Sequence, residues 1–140
     1  MIYLVFLYCS VIFFTPIAIA QEKSTFERCE EIALSDGLVT NWEFAECTRA
    51  EIDREEARLN RAWKALFPKI KEISKETADV FLNEQRKWIA WKDESCKFWQ
   101  YGFGREGVVL HQGLCRAKVI RDRADWLEEM NATEFGRVAQ

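Results

Sequence analysis

Four cysteines behind an apolar leader constrain this chain more than any other feature. Residues 1–20, MIYLVFLYCSVIFFTPIAIA, carry no charged side chain. The apolar run reaches Phe14, Thr15-Pro16 breaks it, and Ala18 and Ala20 put small residues at the two positions a signal peptidase reads. The expectation is a signal peptide over residues 1–20, cleaved before Gln21. An uncleaved anchor is the alternative, since about 20 apolar residues span a bilayer. Export discards Cys9 and delivers Cys29, Cys47, Cys96 and Cys115 to an oxidising compartment, where an even count in a small domain reads as two disulfides. Three connectivities are open. The local pairing, Cys29–Cys47 and Cys96–Cys115 at separations of 18 and 19 residues, is the one expected. Each such bridge contributes about 3 kcal/mol in the chain-entropy description. A four-cysteine zinc site does not fit, because no two cysteines stand two to four residues apart. A redox site lacks its CxxC pair.

The rest of the chain reads as helix. Glycine and proline number only 6 and 2 in 140 residues. Phe26–Leu34 suits a short helix, and Ser35-Asp36-Gly37 is turn chemistry. Thr40 followed by Glu43 is a capping box, each side chain satisfying the other's backbone N–H. It opens a long helix from about Asn41 to Leu66, with an apolar stripe of Trp42, Ala45, Ile52, Leu59, Trp63 and Leu66. Pro68 marks an end or kink. Ser74 then caps a helix over Lys75–Trp99, striped by Phe81, Trp88, Trp91 and Cys96. Gly102, Gly104 and Gly107 punctuate a connector, Gln100–Gly107. A last helix runs from about Val108 to Met130, with Leu110, Leu114, Ala117, Ile120, Ala124 and Leu127 on one face. The predicted architecture is an all-α antiparallel bundle of one short and three long helices, stapled twice, over residues 21–131. Residues 132–140 form a flexible tail.

At this point the residues take on a family likeness. Thr40-x-x-Glu43-x-x-x-Cys47, Leu59-Asn60-x-x-Trp63 and Gln85-Arg86-x-Trp88-x-x-x-Lys92-Asp93-x-x-Cys96 occur in that order, followed by Cys115, Arg123 and Leu127. The stretch from Cys29 to Leu127 resembles the bacterial domain family named after the LprI lysozyme inhibitor. The resemblance implies an exported, disulfide-bonded, all-helical domain of the periplasm or cell envelope, and for at least one member it implies inhibition of lysozyme. It implies no catalysis and no cofactor. Lys92 stands where the family commonly has Arg, Trp63 where Tyr is frequent, and Ile120 where Thr is common.

Gln85, Trp88, Lys92 and Cys96 fall at spacings of three and four, so one helix face presents them in a row. Asp93 lies beside that row, and Arg123 on the last helix is its expected charge partner. The alternative is a ligand pocket built from Gln85, Lys92, Asp93 and Arg123. Asn60, a poor helix former in mid-helix, is expected to bridge to another element through its amide. The connector QYGFGREG is the candidate binding surface. Tyr101, Phe103 and Arg105 are typical interface anchors, and a loop stapled at both ends loses less entropy on docking. Inward folding of Phe103 is the competing expectation.

Catalysis is not expected. His111 is the lone histidine and has no nucleophile beside it in sequence. No phosphate loop or metal-ligand cluster occurs. The adjacent carboxylates Glu55-Glu56 and Glu128-Glu129 read as solvated helix faces. A net charge of −3 and a pI near 5.3 argue against nucleic acid and suit a basic protein partner. The residues point to an exported non-catalytic binding domain, and the resemblance implies that it inhibits a lysozyme-type muramidase. An envelope adaptor that binds another protein or peptidoglycan without inhibiting lysozyme is the alternative. Contact with a membrane is expected only through an uncleaved leader.

Overall fold

A computed structural model describes residues 25–35 and 40–135. The leader, its cleavage point, the Asp36-Gly37 turn and residues 136–140 lie outside the described residues. Among those described, the chain is helical with no strand. It comprises α1 (Thr25–Ser35), α2 (Asn41–Ile73), α3 (Lys75–Glu94), α4 (Phe98–Glu106), a π-helical segment (Gly107–Gln112) and α5 (Gly113–Thr133). No helix among the described residues is long and apolar enough to cross a membrane.

Three long helices form the bundle. The Thr40 capping box starts α2: Glu43 N–H donates to the Thr40 hydroxyl at 3.2 Å, and Thr40 N–H donates to the Glu43 carboxylate at 2.7 Å. That backbone hydrogen bond holds the Glu43 carboxyl below its ordinary pKa. Ser74 ends α2 and at once caps α3 by accepting from Thr77 N–H at 3.0 Å. With a single residue at the corner, α3 runs antiparallel to α2. Contacts pairing Glu55 with Arg121, Arg58 with Glu128 and Lys69 with Asn131 advance together along both chains, so α5 lies parallel to α2 and antiparallel to α3.

The core is the seam where these three meet. Leu59, Ala62, Leu66 and Ile70 of α2, Ala78 and Phe81 of α3, and Ile120, Ala124 and Leu127 of α5 are buried together. Their spacing of three and four residues is the helical period of a buried stripe. Ile120, where the family commonly has Thr, is fully buried in this seam. A file of stacked rings closes one side: Phe67 on Trp63 at 4.8 Å, Trp63 on Phe81 at 5.1 Å, and Phe81 on Trp126 at 6.1 Å.

The all-α bundle and both local disulfides are as expected: Cys29 is bonded to Cys47 and Cys96 to Cys115, with Cα separations of 5.4 and 5.9 Å. Besides the end of α3 at Glu94, where Trp99 was expected, four details differ. First, α2 continues through Pro68 to Ile73. A proline removes one ladder hydrogen bond, but here Phe67 stacks on Trp63 and Ile70 is buried one turn further on, and both hold the helix past the break. Second, the buried face of α2 starts with Cys47, Thr48, Glu51 and Glu55, and Trp42 is 73% exposed. Third, most of the glycine-punctuated connector is helix α4, interrupted only at Gly104, where φ is +56°. Fourth, α5 ends at Thr133, beyond the expected Met130, and is preceded by the π-helical segment.

Candidate functional site

Both disulfides, α1, α4 and the π-helical segment gather at one end of the bundle. Cys29–Cys47 ties α1 to the first turns of α2, and Phe26 packs edge-on against Phe44 at 5.1 Å. Cys96–Cys115 ties the α3–α4 corner to the start of α5. Cys96 sits in the left-handed region at φ +68°, a conformation uncommon for a residue with a Cβ. This sharp corner turns the chain out of α3 and into α4.

α4 then folds back on the π-helical segment. Trp99 is the hub: it stacks on His111 at 4.5 Å and contacts Phe98 at 4.5 Å and Phe103 at 4.9 Å. Gly107 makes the return possible, because a Cβ there would collide with the carbonyl of Trp99. α4 buries none of its own residues. Its outer surface shows Tyr101 at 81% exposure, with Phe98 and Phe103 also exposed. Phe103 therefore points out, and the inward alternative fails. Arg105 has no carboxylate partner among the described residues. With Glu106, Val109, Leu110 and Asn41 at the start of α2 it lines a cavity of about 440 Å³. Tyr101, Phe103 and Arg105 thus share one short, externally clamped helix, with exposed Trp42 beside Asn41.

The motif residues of α3 lie elsewhere. Gln85 is buried, and its carbonyl oxygen accepts two hydrogen bonds from Arg123, at 3.0 and 2.9 Å. The Arg123 guanidinium also pairs with Glu84 at 2.8 Å and lies over Trp126 at 4.3 Å and Trp88 at 5.7 Å. The expected Asp93–Arg123 pair does not form. Asp93 is exposed and stands 3.7 Å from both Lys92 and Arg116. Antiparallel register is the reason: moving back along α3 matches moving forward along α5, so Arg123 meets Gln85 while Asp93 meets Arg116. The alternative four-residue pocket is not assembled either, because Lys92 turns to Glu56 at 3.1 Å. Arg86 is exposed. Asn60 is exposed too and makes no bridging hydrogen bond among the described residues; it lines a small cavity with Glu56, Gln85, Trp88 and Lys92. Trp63 belongs to the ring file of the core.

Sequence reasoning missed the most heavily charged feature of the bundle. Glu51 and Glu55 are 1% and 0% exposed between α2 and α5, so the Glu55-Glu56 pair is not a solvated face. Arg121 reaches across from α5 to both carboxylates, and Arg54 binds both from α2. Arg58 lies 3.5 Å from Glu55 and reaches out to Asp125 and Glu128. Burial pushes the Glu51 carboxyl up, but hydrogen bonds and charge from Arg54 and Arg121 outweigh it and hold its pKa below 4.5. The same carboxylates raise the pKa of Arg121 against its own burial. The signal was present in the sequence: Glu51, Glu55 and Leu59 continue the helical period of the core.

The cluster joins α2 to α5, and neither buried carboxylate lines the two cavities described above. Among the described residues no group of three or more His, Cys, Asp or Glu side chains is placed to hold a metal ion. The family model described as lysozyme inhibitor LprI matches residues 35–127, more than half of the chain. No curated protein and no solved structure matches.

Proposed function

The chain belongs to the LprI family of lysozyme inhibitors, and from that premise we propose that it is an exported, non-catalytic domain that blocks a lysozyme-type muramidase with its stapled end. In this reading residues 1–20 are a signal peptide removed before Gln21, and the helical domain that follows, through the end of α5 at Thr133, works in the periplasm or the medium. Two disulfides suit such a compartment.

The observation that carries the proposal is α4. A helix that buries none of its own side chains but is fixed by Cys96–Cys115 and the Trp99 ring cluster is a projection whose outer residues are free for a partner. Exposed Tyr101 and Phe103 supply rigid aromatic area, and Arg105, without a carboxylate partner among the described residues, supplies a fork of donors. Muramidases work with two carboxyl groups flanking the scissile bond. A guanidinium carried on a narrow, pre-ordered projection is the complement of such a cleft, and fixing the projection in advance lowers the entropy lost on docking. The acidic balance of the chain speeds encounter with a basic enzyme.

Lysis of cell-wall suspensions by lysozyme, followed by turbidity with the purified protein added, tests this. The protein is expected to inhibit. Arg105→Ala and Tyr101→Ala are each expected to weaken inhibition about 30-fold, the loss of an interface hot spot, with melting temperature unchanged because neither side chain supports the fold. Absence of inhibition at micromolar excess across several lysozyme types would overturn the proposal.

A further inference from the structure

A second concave surface lies away from α4, between α3 and α5. Trp88 and Trp91 of α3 face Val119, Asp122, Arg123 and Trp126 of α5 across a groove of about 310 Å³. Trp91 is 55% and Trp126 39% exposed. Among the described residues none of the three indole N–H groups has a hydrogen-bond partner. The walls are already set: Arg123 is fixed by Gln85 and Glu84 and packs over Trp126 and Trp88, and Trp126 is backed by Phe81. The groove is formed before anything binds.

Its charges select the occupant. Arg123 covers the faces of Trp88 and Trp126 and leaves Trp91 bare, and its own charge is met by Glu84. Asp122 is held by Lys118 at 2.7 Å. A cation meets Arg123, an anion meets Asp122, and neither finds an unpaired counter-charge. What remains is aromatic area, three free N–H donors and a rim carboxylate that still accepts hydrogen bonds. A neutral pyranose ring matches this set: its C–H face lies on an indole, its hydroxyls donate to Asp122, and its oxygens accept from indole N–H. An acetamido group adds a carbonyl acceptor and a methyl for Val119. The volume sits at the lower end of the roughly 300–1,000 Å³ typical of small-molecule sites, which suits a short saccharide segment.

We propose that the Trp88–Trp91–Trp126 groove is a glycan-binding site for neutral N-acetylated sugar rings, separate from α4 and independent of the inhibitor reading. The test is calorimetric titration of the purified protein, with no lysozyme present, using the β-1,4-linked tetramer of N-acetylglucosamine. Co-sedimentation with insoluble cell-wall sacculi forms a second arm. Binding of the tetramer shows recognition of the sugar rings themselves; binding of sacculi alone places the site on the polymer. Trp91→Ala removes a half-exposed indole that makes no ring contact within the fold. It is expected to weaken binding about tenfold, the worth of one aromatic stacking contact, with circular dichroism and melting temperature unchanged. The proposal is overturned if neither probe binds at millimolar sugar, if Trp91→Ala binds like the parent, or if light scattering shows a dimer that Trp91→Ala dissolves, which would make the groove a contact between copies.

Discussion

Replacing Arg121 with methionine is expected to destabilise the protein by about 3 kcal/mol. Arg121 is the only side chain of α5 in the ion-pair cluster that touches both Glu51 and Glu55, and those carboxylates are almost wholly buried. Removing one member of a buried ionic group strands the charge that stays behind, at about 3–5 kcal/mol. The lower end applies because Arg121 is itself 40% exposed and Arg54 and Arg58 remain. Thermal unfolding followed by circular dichroism is expected to shift down by about 10 °C or more. Exchanging Glu51, Glu55 and Arg121 together for leucine, leucine and methionine is expected to recover most of the loss, since well-packed apolar residues often replace buried ion clusters without penalty. An Arg121→Met variant that melts like the parent would remove the cluster from the account of stability.

The same cluster sets a pH dependence. The folded-state pKa of Glu51 lies below its ordinary value of 4.5. Its contribution is therefore fully present above the unfolded value and is lost as pH falls through the folded one. Melting temperature is expected to hold near neutrality and to fall below about pH 5. Glu43, lowered by its hydrogen bond to Thr40 N–H, adds a slope of the same sign. Glu51→Gln is expected to flatten the acid limb, and an unchanged limb would place the acid sensitivity elsewhere.

Removing the Cys96–Cys115 bridge by a double change to serine is the second large effect. The 19-residue loop gives a loss of about 3 kcal/mol. The consequence for binding is greater still. Cys96 holds the left-handed corner that launches α4, and α4 has no buried side chain of its own to keep it in place. Lysozyme inhibition is expected to fall at temperatures where the circular dichroism is still that of the folded bundle. Removing Cys29–Cys47 instead costs comparable stability, from a loop of 18 residues, but leaves the α4 corner intact, and inhibition is expected to survive it. Equal loss of inhibition in both variants would argue against α4 as the contact surface.

The bundle and its staples were legible because they rest on short-range signals: cysteine spacing, two capping residues and a stripe of Leu, Ile and Ala at helical period. The cluster of Glu51, Glu55 and Arg121 was not, because a charged side chain on a helix reads as solvent-facing unless its partner on a distant segment is known. The Asp93–Arg123 error has a sharper origin. Once Cys96 is bonded to Cys115, counting back along α3 and forward along α5 places Arg123 near Gln85 and Trp88, so register outweighs charge complementarity. Pro68 and the three connector glycines misled in the same way. Each is a local breaker, and each was overruled by packing that local reading does not contain: Phe67 and Ile70 beyond the proline, and Trp99 against His111 around the glycines. Tyr101, Phe103 and Arg105 are candidates by residue type alone; they lie exposed on a helix where a loop was expected.

The placement of α4 outside the core has a consequence for how such a protein diversifies. Its outward side chains can be exchanged without opening a void or stranding a charge, because the core seam and the ion cluster are built from α2, α3 and α5 alone. If α4 is the contact surface, target preference and architecture are then uncoupled: the short helix can be rewritten for a different enzyme while the scaffold stays as it is.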